Sequence, residues 1–370
     1  MSYGAYSAGR AVAERIREHF ANHVDAAELV PELAHIEALI DVAFWTSLRR
    51  EESYVPTISL ALVSPGAAPH PMRFAHRLPL SPDALAKVAP AVERPGIHLG
   101  VSPQDGILSV WGATRTLPPF CLVLEVAAPG LIVVKQHRGG EHLKFANIAV
   151  LEADLVKIVD ETASSLPDCP SLLTSLLGFD TPGSWSDSVN VLVQLAVSMR
   201  AHKRGGLLLV VPAGSDRWRE SIISPVPYAL DPPFSQLAKL LQKDDDKRNR
   251  LWEDALERAV DAIAGLTAVD GATIITDRYD LLVFGAKITR RRGSPNVEQT
   301  TVTEPIEGGT ADIVHPSSLG GTRHLSAAQF ASDQQDAIAL VASQDGHFTV
   351  FAWSPCENMV HAHRVEALLL

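Results

Sequence analysis

Arg204-Gly205-Gly206-Leu207-Leu208-Leu209-Val210-Val211-Pro212 decides the fold class. An unbroken apolar run of strand length, opened by paired glycines and closed by proline, predicts a strand buried on both faces. Just upstream, Val191, Leu192, Leu195 and Met199 recur at helical spacing. Ser186 or Asp187 would cap that helix, and Arg200-Ala201-His202-Lys203-Arg204 gives it the basic end that suits a helix C-terminus. Downstream, Leu251, Leu256, Val260, Ile263 and Ala264 predict a second helix from about Lys247 to Leu266. The run Asp244-Asp245-Asp246 before it reads as a solvated loop near a helix N-terminus. Two strands, Ala272–Thr276 and Leu281–Ala286, then flank the turn Asp277-Arg278-Tyr279-Asp280. A loop from Thr289 to Gly320 precedes a helix over Ser326–Ser332, and the strands Ala337–Ala342 and Phe348–Phe351 follow. This order predicts an α/β unit, a mixed β-sheet flanked by helices.

The N-terminal half has a different texture. Val12, Ile16 and Phe20 share one helical face, and Leu33, Ile36, Leu39, Ile40 and Val42 form another. Beyond Val55 the period shortens to that of strands, at Ile58–Leu62, Leu108–Trp111, Leu122–Val126 and Leu131–Val134, with a return to helix expected over Leu151–Asp160. The reading is an N-terminal α+β domain, residues 1–180, and a C-terminal domain, residues 187–360. The turn-rich Phe179-Asp180-Thr181-Pro182-Gly183-Ser184 lies between them. No internal repeat is visible.

With 370 residues, 46% of them hydrophobic and 20% charged, the chain can bury two cores. Its net charge of −11 opposes nonspecific binding to DNA or an acidic membrane. Three scattered cysteines, Cys121, Cys169 and Cys356, form no disulfide framework and suggest a reducing compartment. Met1-Ser2-Tyr3-Gly4 opens no secretory signal, and apolar stretches such as Cys121–Val134 fall short of the ~20 residues that span a bilayer. A cytoplasmic protein is expected.

Three motifs carry the candidate chemistry: Asp270-Gly271-Ala272 before a strand, Gly321-Thr322-Arg323-His324 at a helix start, and Ser343-Gln344-Asp345-Gly346 in a turn. Their order across Asp187–Trp353 resembles the catalytic domain of the diadenylate cyclases, which join two ATP molecules into cyclic di-AMP. The resemblance implies a nucleotide site made of Asp270, Gly271, Ala272, Gly321, Thr322, Arg323, His324, Ser343 and Asp345. Small residues at 271 and 272 let a ligand approach the backbone, and the amides opening the helix suit phosphate. Arg323 would neutralise phosphate charge and His324 could meet phosphate or metal. Asp270 would orient a ribose hydroxyl or a Mg or Mn ion accompanying the nucleotide, and would be catalytic in an active cyclase.

Two departures oppose turnover. Leu325 stands where the family's Gly-Thr-Arg-His-Arg signature ends in arginine. Ser343-Gln344-Asp345-Gly346 is one residue shorter than the family's Ser-Glu-Glu-Thr-Gly and lacks both glutamates. The favoured expectation is a nucleotide-sensing relative, similar to the predicted-sensor branch called DACNV. It would bind ATP or a nucleotide-derived second messenger and act through a homo-oligomer or a downstream protein partner. The alternatives are an active diadenylate cyclase and a structural interaction protein with a vestigial pocket. Cys356, His361 and His363 are too few and too irregularly spaced for a zinc site.

Overall fold

The computed structural model describes residues 6, 8–23, 29–50, 55–94, 96–137, 145–159, 190–243 and 250–370. The chain divides into two compact units, Met1–Asp160 with Leu370, and Glu161–Leu369. The expected boundary at Phe179–Ser184, the candidate caps Ser186 and Asp187, and the run Asp244–Asp246 lie outside the described residues.

The first unit opens with α1 (Gly9–His23) and α2 (Leu33–Ser47), followed by β1 (Ile58–Leu62) and β2 (Met72–Pro79). Helix α3 (Pro82–Val92) starts as its sequence dictates, with Pro82 in the first turn and the Ser81 hydroxyl accepting from the Ala84 amide at 3.4 Å. Strands β3 (His98–Gln104), β4 (Ile107–Thr114), β5 (Leu122–Ala128), β6 (Leu131–His137), β7 (Phe145–Glu152) and β8 (Leu155–Ile158) complete it. The sheet order is β2-β4-β3-β1-β5-β6-β7-β8. Phe20, Leu39 and Leu85 pack with Leu60, Leu99 and Leu124, so the helices cover one face of the sheet. The opposite face carries a smaller cluster around Trp111, whose indole N–H donates to the Val63 carbonyl at 2.7 Å.

The helix expected over Leu151–Asp160 is not formed. Leu151 belongs to β7, paired with Ile132 of β6, and the chain turns back at Ala153 into β8. That hairpin pairs the outer side of β7, and its ladder outweighs a weak helical period.

The second unit begins with α4 (Val191–Ala201), capped by the Asn190 side chain accepting from Val193 N at 3.2 Å. Then come β9 (Gly206–Val211), β10 (Tyr228–Phe234), α5 (Gln236–Leu241), α6 (Arg250–Leu266), β11 (Ala272–Thr276), β12 (Leu281–Ala286), β13 (Thr300–Thr303) and β14 (Asp312–Val314). Helix α7 (Thr322–Asp333), β15 (Ile338–Ala342), β16 (Phe348–Ser354), β17 (Met359–Arg364) and α8 (Glu366–Leu369) end it. The order is β10-β12-β11-β9-β15-β16-β17-β13-β14, a mixed sheet. Every residue of β9 is buried, as its apolar run predicts. The inward faces of α4 and α6 pack with Leu208, Val210 and Leu340, while Phe330 of α7 packs on the other side with Leu209, Val341 and Phe351. Helix α7 begins four residues earlier than the apolar period alone indicates, so Thr322, Arg323 and His324 form its first turn.

The two sheets share a topology that the residues do not advertise. Through seven positions, β2-β4-β3-β1-β5-β6-β7 corresponds to β10-β12-β11-β9-β15-β16-β17. In each, the first strand pairs in parallel with the strand after the crossover helices, β1 with β3 and β9 with β11, and the other corresponding neighbours are antiparallel. The second unit inserts β13, β14 and α7 between β12 and β15, where the first unit has only the link 115–121. A shared strand order needs no visible sequence repeat: it depends on patterning and connection length, which different side chains can satisfy.

Candidate functional site

Four chain segments of the second unit meet at one end of its sheet. Asp270 and Gly271 precede β11, Lys287 follows β12, Gly321 caps α7, and Ser343–Gly346 follows β15. Asp270, Gly271, Ala272, Lys287, Thr322 and Arg323 line one cavity of about 350 Å³. Gly321, Thr322, Arg323, His324, Ser343 and Asp345 line an adjoining one of about 320 Å³. Thr322 and Arg323 belong to both, so the three sequence motifs converge.

Gly271 is required by its surroundings. Its φ is +118°, and a β-carbon there would fall 2.5 Å from the carbonyl carbon of Gly285 on the neighbouring strand. Ala272 is fully buried opposite Ala286, so the ends of β11 and β12 lie close together and aim Asp270 outward. The Asp270 carboxylate is 90% exposed and accepts from the Lys287 ammonium at 2.5 Å. That hydrogen bond, then the Lys287 charge, hold its pKa below the usual carboxylate range. Lys287 was not among the residues singled out by sequence, because a lysine after a strand gives no signal until the pairing of β12 with β11 places it beside Asp270.

Helix α7 starts at Gly321 with no side-chain cap. Its first amides are therefore available to an external acceptor, at the positive end of the helix dipole. Arg323 makes no hydrogen bond or ion pair among the described residues. Its guanidinium lies over Gly205, where a β-carbon would be 2.8 Å from Nη1. His324 is placed differently from its neighbours: it is 3% exposed, edge-on to Phe351 at 6.0 Å, and neither ring nitrogen has a partner among the described residues. Burial lowers its pKa below the ordinary histidine value.

The turn after β15 is braced from within. The Ser343 hydroxyl donates to the Asp345 carboxylate, which lowers that carboxyl's pKa. Gln344 Nε2 lies 3.4 Å from the Arg204 carbonyl oxygen, so it faces the loop before β9. Arg200, on the last turn of α4, donates from Nε to the Gly346 carbonyl and from Nη1 to the Leu369 carbonyl, both at 2.9 Å. Beyond the turn, His347 Nδ1 donates to the Glu366 carboxylate at 3.1 Å, and this bond raises its pKa.

Leu325 points away from these cavities. It lines a third one, of about 410 Å³, with Arg290, Asn296 and Gln329. Of the run Arg290-Arg291-Arg292, Arg290 is exposed and bonded to Asn296 Oδ1 at 2.7 Å. Arg291 is held instead by Asp333, which accepts from its amide at 2.7 Å. Among the described residues no three His, Cys, Asp or Glu side chains converge to hold a metal, and no helix is long and apolar enough to cross a membrane.

Comparison with known proteins bears chiefly on the first unit. No curated protein matches the sequence. A crystal structure of DacA from Staphylococcus aureus, a double mutant, aligns with 14% identity over 47% of this chain and 85% of that chain, at a TM-score of 0.24. A likeness of that size has no bearing on the chemistry. The family model that matches is described as "Probable sensor domain DACNV" and covers residues 25–115, from α2 to just beyond β4. The match falls in the N-terminal unit, to which the sequence motifs assigned no role, and not on the C-terminal unit that carries those motifs. Residues 25–115 of this chain are similar to the DACNV sensor family.

Proposed function

We propose that the second unit binds a nucleotide at the Asp270–Arg323 end of its sheet, in a nucleotide-signalling protein whose first unit is a sensor domain. The observation that carries this is the meeting of an exposed, ionised Asp270, an unpaired Arg323 guanidinium and the uncapped amides of α7 around two joined cavities. Phosphates fit the α7 end, where Arg323 and backbone N–H groups supply charge-assisted hydrogen bonds. The ribose and base then extend past Gly271 and Ala272, where the short side chains leave room. Ser343 and Asp345, braced by Arg200, close the far wall.

A Mg or Mn ion fits this site only as the companion of the nucleotide. Asp270 offers one carboxylate, and since among the described residues no three His, Cys, Asp or Glu side chains converge there, the phosphates would supply much of the coordination. When bound, the ion would neutralise phosphate charge. Lys287 holds the Asp270 carboxylate in its ionised form ready for that role.

Binding without turnover is the favoured reading. Gln344 supplies no negative charge, and Leu325 supplies no guanidinium to the phosphate cavities. Cyclisation of ATP to cyclic di-AMP is the second reading, favoured by the exposed Arg290 beside Leu325, which could reach a second nucleotide. Incubation of the purified protein with α-labelled ATP and Mn, followed by separation of bound nucleotide from product, distinguishes them. Retained ATP without product supports the sensor; cyclic di-AMP that disappears in Asp270→Asn supports the cyclase; no bound nucleotide at all overturns both.

A further inference from the structure

The first unit has a cavity of about 270 Å³ at the end of its sheet where β1 and β3 begin and β5 approaches its end. In the shared topology this is the end that corresponds to the Asp270–Arg323 site of the second unit. It opens on the face of β1 and β5 that bears Ser59, Val123 and Glu125, turned away from α1, α2 and α3.

Its chemistry differs from that of the second unit. His98 lines it, is 5% exposed, and binds Ser59 Oγ through Nδ1 at 2.8 Å. The other ring nitrogen, Nε2, is buried and has no partner among the described residues. A buried polar atom left unsatisfied is costly, and native proteins seldom keep one without a use. Phe145 places its ring 5.7 Å from His98. Across the floor, Lys135 Nζ lies 2.6 Å from Glu125 Oε2. The charged lining residues Glu93, Arg94, Glu125 and Lys135 cancel. His98 is also neutral near pH 7, because burial takes its pKa down to about 4.

We infer that this cavity binds a planar, uncharged, hydrogen-bonding heterocycle of nucleoside size. The ring stacks against Phe145, and a polar edge meets His98 Nε2 once the imidazole turns toward it. Ser59 fixes the tautomer: whichever partner donates in the Ser59–His98 bond, Nε2 takes the complementary role toward the ligand. The two acidic and two basic side chains of the wall balance, and the helix end that meets it is the C-terminus of α3, which disfavours phosphate, so the base is what is recognised. A sensor domain that reads a base and a second domain that grips phosphate would respond to different parts of the nucleotide pool.

The test uses the full chain and four nucleosides, adenosine, guanosine, cytidine and uridine, followed by saturation-transfer NMR and calorimetry. At least one should bind saturably, with no gain in affinity for its triphosphate at this site. His98→Gln and Phe145→Leu should each weaken that nucleoside by about tenfold or more, as the loss of a buried hydrogen bond or of base stacking does. Arg323→Ala should leave it unchanged, which separates this site from the one in the second unit. Circular-dichroism melts of both variants check that the unit still folds, and Ser59→Ala gives a milder change should either fail. Absence of binding by all four nucleosides, or binding lost in Arg323→Ala and retained in His98→Gln and Phe145→Leu, would overturn the inference.

Discussion

Lys287 Nζ lies 2.5 Å from the Asp270 carboxylate, joining the residue that follows β12 to the one that precedes β11. The pair keeps a fully exposed carboxyl ionised to lower pH than an isolated aspartate. Lys287→Met should therefore raise the Asp270 pKa, read from its carboxyl carbon shift in an NMR titration. An unchanged midpoint would mean that the two side chains are not paired in solution.

Gly271→Ala should destabilise the second unit by about 3 kcal/mol, combining left-handed backbone strain with a β-carbon forced against Gly285. Thermal melting should show that loss. Gly321→Ala, with nothing near its β-carbon position, should cost much less.

Arg200 ties the turn at Gly346 to α4 across 146 residues of chain. Arg200→Ala leaves two carbonyl oxygens without their donor and should cost about 2–3 kcal/mol. Amides of residues 343–347 should exchange faster with deuterium while those of β9 stay protected. Equal acceleration in both would mean that the arginine supports the whole unit and not the turn.

Two buried histidines predict a loss of stability in acid. Burial lowers the pKa of His98 to about 4 and that of His363 to about 3. The unfolded chain then takes up protons first as pH falls below ~6.5. Stability from these groups is intact above that value, declines down to about 4 for His98 and about 3 for His363, and levels off below. For His98 the shift corresponds to a loss on the order of 3 kcal/mol. Urea melts at stepped pH should show the decline, and His98→Gln should shrink the part above about pH 4.

Much of the second unit was legible because its signals are local. The apolar run at Leu207–Val211, the helical period of Val260, Ile263 and Ala264, and the turn before Leu281 each reported their element directly. Strands β2 and β3 were missed because Arg73, His76 and Arg77 interrupt one, while Gly100 and Pro103, both poor strand formers, interrupt the other. Strands β13 and β14 were lost inside a loop rich in threonine and glycine, where pairing with β17 supplies the order that local sequence does not. At the candidate site, Asp270 and Arg323 were visible as motifs. Lys287, Arg200 and Arg290 act through strand pairing or chain closure, and no spacing rule connects them to the motifs. His98 and Phe145 were invisible for the same reason, since nothing in a single sequence indicates that β1, β3 and β7 meet around one cavity.

Equilibrium binding of labelled ATP, with Mg present, to the intact protein and to Arg323→Ala tests the central claim most directly. The account predicts saturable binding to the intact chain and a loss of at least about tenfold in the variant, whose melting temperature should change little because a half-buried arginine without partners is removed. ATP binding of equal strength in both proteins, or in neither, would contradict it.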